Sequence, residues 1–103
     1  MRRIATAFLA ALLAASLPSA SASGCIPRRW TQGAPVPTSR TEVAAAAYEG
    51  KIYVAGGFGA AGPSDAVDVF DRRTGAWSAG PRLPIPLNHA MAVRTPTGVL
   101  VVG

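Results

Sequence analysis

The sequence has one cysteine and one histidine in 103 residues. A single cysteine excludes an internal disulfide framework, and one of each cannot complete a structural zinc site. Charge is sparse: Asp, Glu, Lys and Arg make 15% of the chain, too few for a charged disordered tail. Aromatics are only 7%. Eleven glycines and nine prolines, about a fifth of the residues, exclude a long coiled coil or an all-helical bundle, because both residues break helices. Ten basic side chains outnumber five acidic ones, but no basic run is interleaved with aromatics. That excludes nucleic acid as a partner.

What is present begins with an export signal at residues 1–22. Arg2 and Arg3 form a short positive start. Residues 4–17 are an uncharged apolar run, long enough for a signal core and too short to span a bilayer. Pro18 ends the run, and Ala20-Ser21-Ala22 is an A-x-A cleavage site. Residues 23–29 then form a short linker. Ala22-Ser23-Gly24-Cys25 also resembles a lipoprotein processing site, in which Cys25 would become a lipidated terminus. Cleavage after Ala22 is the reading taken, and lipidation at Cys25 is the alternative. Both place the product outside the cytoplasm, and only the second attaches it to a membrane. Loss of Arg2 and Arg3 lowers the formal net charge from +5 to +3.

The remaining chain repeats itself. Displaced by 47 positions, residues 30–56 fall on residues 77–103 without a gap. Trp30 meets Trp77, Gly33 meets Gly80, Pro37 meets Pro84, Ala45 meets Ala92, Val54 meets Val101 and Gly56 meets Gly103. Low complexity could produce the alanine match, but not both tryptophans in one register.

Each unit reads as four short strands separated by turn residues, with no helical segment between them, so the chain is all-β. In the complete unit they are expected near residues 42–48, 51–56, 66–70 and 76–79, antiparallel in sequence order. Ala44 to Ala47 favour helix by propensity alone. The room between Thr41 and Gly50 allows barely two turns, and the repeat partner of this segment, from His89 to Arg94, has no helical stripe. A strand is therefore expected there. Residues 30–34 read as the last strand of a preceding unit, and residues 88–103 as the first half of a following one.

These residues resemble the kelch motif. The resemblance rests on Arg40, the doublet Gly56-Gly57, Phe70, the pair Thr74-Gly75, and Trp77. It covers residues 30–103, and the period of 47 agrees with the roughly 50-residue kelch unit. It implies a β-propeller with one four-stranded blade per repeat, of which about one and a half blades follow the signal peptide. By the same resemblance the doublet lets the chain leave the second strand where a Cβ would not fit. Phe70 and Trp77 would pack between blades, and Arg40 would be a buried arginine at the mouth of the first strand. Leu87 stands where the second repeat should carry its Arg, and Phe rather than Tyr at residue 70 removes a hydroxyl. A ring of 4 to 8 blades needs roughly 190–380 residues at this period, so the sequence reads as the N-terminal fragment of a longer propeller. The open sides of such a unit are expected to expose Ile52, Val54, Val99 and Val101 and to favour association.

Chemistry-bearing residues are few. His89 and its repeat partner Glu42 sit at the start of equivalent strands, and are read as solvated or hydrogen-bonded strand ends rather than as ligands. Asp65, Asp68 and Asp71 resemble a calcium ladder only at first sight. On a strand Asp68 points away from the other two, so all three are read as solvated edges. No catalytic constellation, metal site or cofactor site is expected. The reading taken is an exported binding module whose propeller loops hold a protein or glycan partner. Its alternative is the first part of a secreted kelch enzyme acting on sugars, of the mutarotase or copper-dependent oxidase type. An oxidase would need several His ligands and a Cys–Tyr pair, which this chain does not have in place.

Overall fold

The computed structural model describes residues 29–103. The export segment, its cleavage site and Cys25 lie outside the described residues. Apolar and β-branched runs, cut by turn residues, give the strands β1 (Ala44–Tyr48), β2 (Lys51–Ala55), β3 (Phe58–Gly59), β4 (Gly62–Pro63), β5 (Val67–Asp71), β6 (Ala76–Ala79), β7 (Met91–Thr95) and β8 (Gly98–Val102). No helix occurs among the described residues.

Strands β1, β2, β5 and β6 form one antiparallel sheet in that order. Their bounds differ from the expected ones by at most two residues. The alanine run is a strand, with Ala44 paired to Ala55 and Ala47 to Ile52. Strands β7 and β8 form a separate hairpin, the half blade. The β3–β4 hairpin was not expected, since two-residue strands leave no periodicity to read.

Residues 30–34 form no strand, contrary to the expectation, and Trp30 is fully exposed. An outer strand needs a neighbour's free ladder to pair with. Among the described residues no strand preceding β1 offers one.

Alternation along the strands decides which side chains meet. Ala44, Tyr53, Ala55, Val67 and Val69 share one face of the four-stranded sheet. Ala55, Val67 and Val69 are buried there, with Tyr53, Leu83 and Val101 packed against them. The hairpin therefore lies against this face with Val101 inward. Expectation and structure differ at this point. Val101 belongs to the packed side, and Ile52, Val54 and Val99 are half-buried. The exposed apolar face is instead Met91, Val93, Leu100 and Val102, which pair across the hairpin as Met91 with Val102 and Val93 with Leu100. A one-residue change of parity exchanges the two faces of a strand, and the covering partner selects which one is buried.

The β1–β2 turn is two residues, Glu49 and Gly50, both left-handed at φ 46° and 74°. This is the primed hairpin geometry that favours Asn-Gly. The β5–β6 turn is closed by Asp71, whose Oδ1 accepts the amides of Arg73 (2.8 Å) and Thr74 (3.3 Å). The Arg73 amide is the main cause holding the Asp71 carboxyl below its ordinary value. The turn is thus supported above the ordinary carboxylate range, and the support is lost as pH falls through the lower folded value. Replacing Glu49→Asn is expected to raise stability by about 0.5–1 kcal/mol, because Asn tolerates positive φ better than Glu. Melting temperatures of parent and variant, at one protein concentration, check it.

Candidate functional site

Arg40 precedes β1 and folds back under the sheet. Its Nη1 lies 2.8 Å from Asp68 Oδ2, with side-chain exposures of 1% and 9%. Its Nε donates to the Gly56 carbonyl at 2.7 Å and its Nη2 to the Val54 carbonyl at 3.3 Å. One planar fork therefore joins β5, the end of β2 and the segment leading into β1. Asp68 is buried in an ion pair and is not the solvated edge that the sequence suggested. The alternation that turns Asp68 away from Val67 and Val69 carries it to the opposite face of the sheet, onto Arg40. Every buried side-chain nitrogen and oxygen among the described residues has a partner.

Gly56 and Gly57 follow β2 with φ of 64° and 102°. A Cβ on Gly56 would lie 2.6 Å from the Leu87 carbonyl oxygen, and one on Gly57 would lie 2.5 Å from that of Thr41. Other side chains need more room than this crossing leaves. The space is taken by hydrogen-bonded backbone. The Gly57 amide donates to Leu87 O (2.7 Å), the Leu87 amide to Ser64 O (3.0 Å), and the Phe58 amide to Thr41 O (2.7 Å). Three segments thus meet at one end of the blade: the approach to β1, the loop after β2, and the linker into β7.

That end carries the exposed polar groups. Glu42 Oε2 lies 3.3 Å from His89 Nδ1 and accepts from Asn88 Nδ2 at 3.3 Å. Asn88 was not foreseen, and its position beside His89 was the only signal for it. Glu42 and His89 are both left-handed, at φ 55° and 53°. Phe58, one residue beyond the doublet, is 44% exposed and is bridged through its backbone to Thr41, the residue before Glu42. On the other flank Arg82 pairs with Asp65. The arrangement offers a carboxylate, an imidazole, an amide and an aromatic ring to solvent on one loop surface. Among the described residues no three His, Cys, Asp or Glu side chains converge as metal ligands would.

Phe70 and Trp77 lie at paired positions of β5 and β6, with ring centroids 5.1 Å apart and planes tilted by 52°. Both are half-buried, and Trp77 Nε1 donates to the Ala34 carbonyl at 3.0 Å. Thr74 and Gly75 form the turn before β6, where Gly75 has φ 72° and Thr74 Oγ1 accepts the Ala76 amide at 3.4 Å.

The Kelch motif matches residues 39–84, which contain the four-stranded sheet, the Arg40 network and the glycine doublet. Residues 39–84 belong to the kelch-repeat family. Kelch-like protein 36 of Rattus norvegicus is 40% identical to this chain over 58 residues, which is 54% of this chain and 10% of the relative. Kelch-like protein 36 of Mus musculus is 38% identical over 58 residues, with the same coverage. The chain thus spans about a tenth of the length of these curated relatives.

Within the kelch repeat, Arg40 is the residue whose loss the sheet tolerates least. Removing it strands a buried carboxylate and frees the Gly56 and Val54 carbonyls. Arg40→Leu is expected to cost about 3–5 kcal/mol, the usual price of an uncompensated buried charge. Adding Asp68→Ala should recover at least about 1 kcal/mol of that loss, because the stranded charge goes with it. Urea midpoints of the single and double variants, at equal protein concentration, measure both numbers.

Proposed function

We propose that this chain is an exported kelch module that binds a protein partner through the loop surface around Glu42, Asn88, His89 and Phe58. Kelch repeats are protein-interaction modules, and the surface suits that use. It mixes one carboxylate, one imidazole, one amide and one exposed ring, and it stands on a backbone held by the Arg40 fork and the doublet crossing.

The observation that carries the reading is the left-handed backbone at Glu42 and His89. The two residues are repeat equivalents, and a left-handed conformation costs an L-residue about 1–2 kcal/mol that glycine would avoid. Retaining side chains at both places, aimed at one another across the inter-repeat crossing, fits a surface kept for contact rather than for stability. Export rests on the residue 1–22 pattern of positive start, apolar core and A-x-A site. Anchoring through Cys25 is its alternative.

Two measurements test this. Glu42→Gly and His89→Gly, together, should leave the melting temperature unchanged or slightly higher and weaken capture of the partner from extracellular or envelope extracts. Equal capture by parent and variant would remove the loop surface from the account, and capture of glycans alone would replace the protein partner. N-terminal sequencing of exported material should begin at Ser23. A blocked, lipid-bearing Cys25 would select the anchored form, and intact Met1 in the cytoplasm would end the export reading.

A further inference from the structure

Six lysines and arginines lie in residues 31–103, and they divide by whether an acid answers them. Arg40 is paired with Asp68, Lys51 with Asp71 and Arg82 with Asp65. Arg72, Arg73 and Arg94 are exposed and belong to none of the ion pairs among the described residues. All three stand at the end of the sheet away from the loop surface. Arg72 and Arg73 open the β5–β6 turn, and the Arg72 amide donates to the Gly50 carbonyl of the β1–β2 turn at 3.1 Å. Arg94 is the next-to-last residue of β7 and lies near Tyr48, the last residue of β1. Burial first and Glu49 next raise the Tyr48 phenol above its ordinary value, and the charge of Arg94 opposes them. The two turns and the end of β7 therefore form one surface.

The acids at this end are already in use. Asp71 gives Oδ1 to the amides of Arg73 and Thr74, and its Oδ2 lies 3.7 Å from Lys51 Nζ. Glu49 borders the Tyr48 phenol. Three guanidinium groups are left facing solvent on separate elements rather than gathered in a cleft, which fits a broad anionic surface better than one small anion. The opposite end holds Glu42 with His89 and the closed pair of Asp65 with Arg82, so the unanswered positive charge is confined to one end. The route of the chain points the same way. Trp77, two residues past the arginine turn, donates to the Ala34 carbonyl at 3.0 Å, whereas Arg40 donates to the Gly56 carbonyl near the loop surface. Residues 34–40 therefore climb from the arginine end to the loop end. The residues before Ala34, which lead back to the apolar run at 4–17, join the blade at the arginine end.

We propose that the Arg72–Arg73–Arg94 end docks on the anionic phospholipid headgroups of a membrane, with the loop surface turned away from it. Guanidinium forks match phosphate oxygens, and each basic side chain near an anionic leaflet strengthens binding about fivefold. Three together give a preference for anionic over neutral headgroups of about a hundredfold at low salt, and added salt erodes it. The contact is independent of the loop-surface reading, because Glu42, Phe58, Asn88 and His89 lie at the other end.

The experiment is co-sedimentation of the full chain with vesicles, phosphatidylcholine alone against phosphatidylcholine mixed with phosphatidylglycerol. The ratio of the two affinities cancels what the apolar run at residues 4–17 adds to both, and Arg2 and Arg3 are common to every variant. The parent's ratio should fall as salt rises. Arg72→Gln with Arg73→Gln should lower it about 25-fold, and Arg94→Gln about fivefold. Arg82→Gln, a charge-matched change at the loop end, should leave it within about twofold. The double variant keeps the Arg72 and Arg73 amides in their hydrogen bonds, and Trp77 fluorescence checks the fold. Arg94→Gln leaves that turn untouched and carries the test if the double variant does not fold. A ratio unchanged by these variants would overturn the proposal. An equal loss with Arg82→Gln would also overturn it, by reducing the effect to net charge. So would a parent that shows no preference for phosphatidylglycerol, and its retention on dextran sulfate would then assign the end to an acidic polysaccharide.

Discussion

The guanidinium of Arg40 is the constraint on which the rest of this structure turns. It is 1% exposed, charged, and placed where three pieces of chain must be held together. Each pairing satisfies a different need. Asp68 neutralises the charge, while the Gly56 and Val54 carbonyls use the remaining donors. A lysine could supply the charge but not the planar fork. With the Gly56 carbonyl fixed, the doublet takes up its two left-handed conformations. The Gly57 amide then faces Leu87, and the linker into the second repeat is set by that hydrogen bond. A buried ion pair of this kind contributes little net stability against an apolar substitute. Its role here is to fix one geometry of the crossing.

The two repeats share a frame and differ at this point. Leu87 occupies the position of Arg40, and its Cδ1 would lie 3.5 Å from a Cβ on Gly103, the equivalent of Gly56. The second repeat thus places an apolar side chain beside its glycine where the first places a charged fork. The loop surface sits directly above this difference. Glu42 and His89, one from each repeat, meet there because the crossing brings the two strand starts together, and both accept left-handed backbone in doing so.

Much of the fold was legible in the sequence. The 47-residue register of the two tryptophans and the turn residues between apolar runs located every strand of the four-stranded sheet. The alanine run was read correctly because its repeat partner contradicted the helix that alanine favours. Besides the two-residue β3–β4 hairpin and Asn88, three features were not legible, for separate reasons. Asp68 looked like a member of an acidic ladder, and its burial follows only from joining its strand parity to an arginine 28 residues away. The outward face of the hairpin was assigned the wrong parity, because both faces of β8 are apolar and only a covering partner distinguishes them. Residues 30–34 carry a strand-like pattern with no ladder beside them. Local pattern states what a segment can form, and the neighbour decides whether it does.

The central claim is that the Arg40 fork holds the doublet crossing and, through it, the seat of the second repeat. Amide hydrogen exchange in an Arg40→Lys variant tests it most directly. The account predicts that the Gly57 and Leu87 amides lose protection together with the β7–β8 hairpin, while the β5–β6 pairing keeps its own. Unchanged protection at Gly57 and Leu87 would contradict it, and would mean that the crossing is held by its backbone hydrogen bonds without the fork.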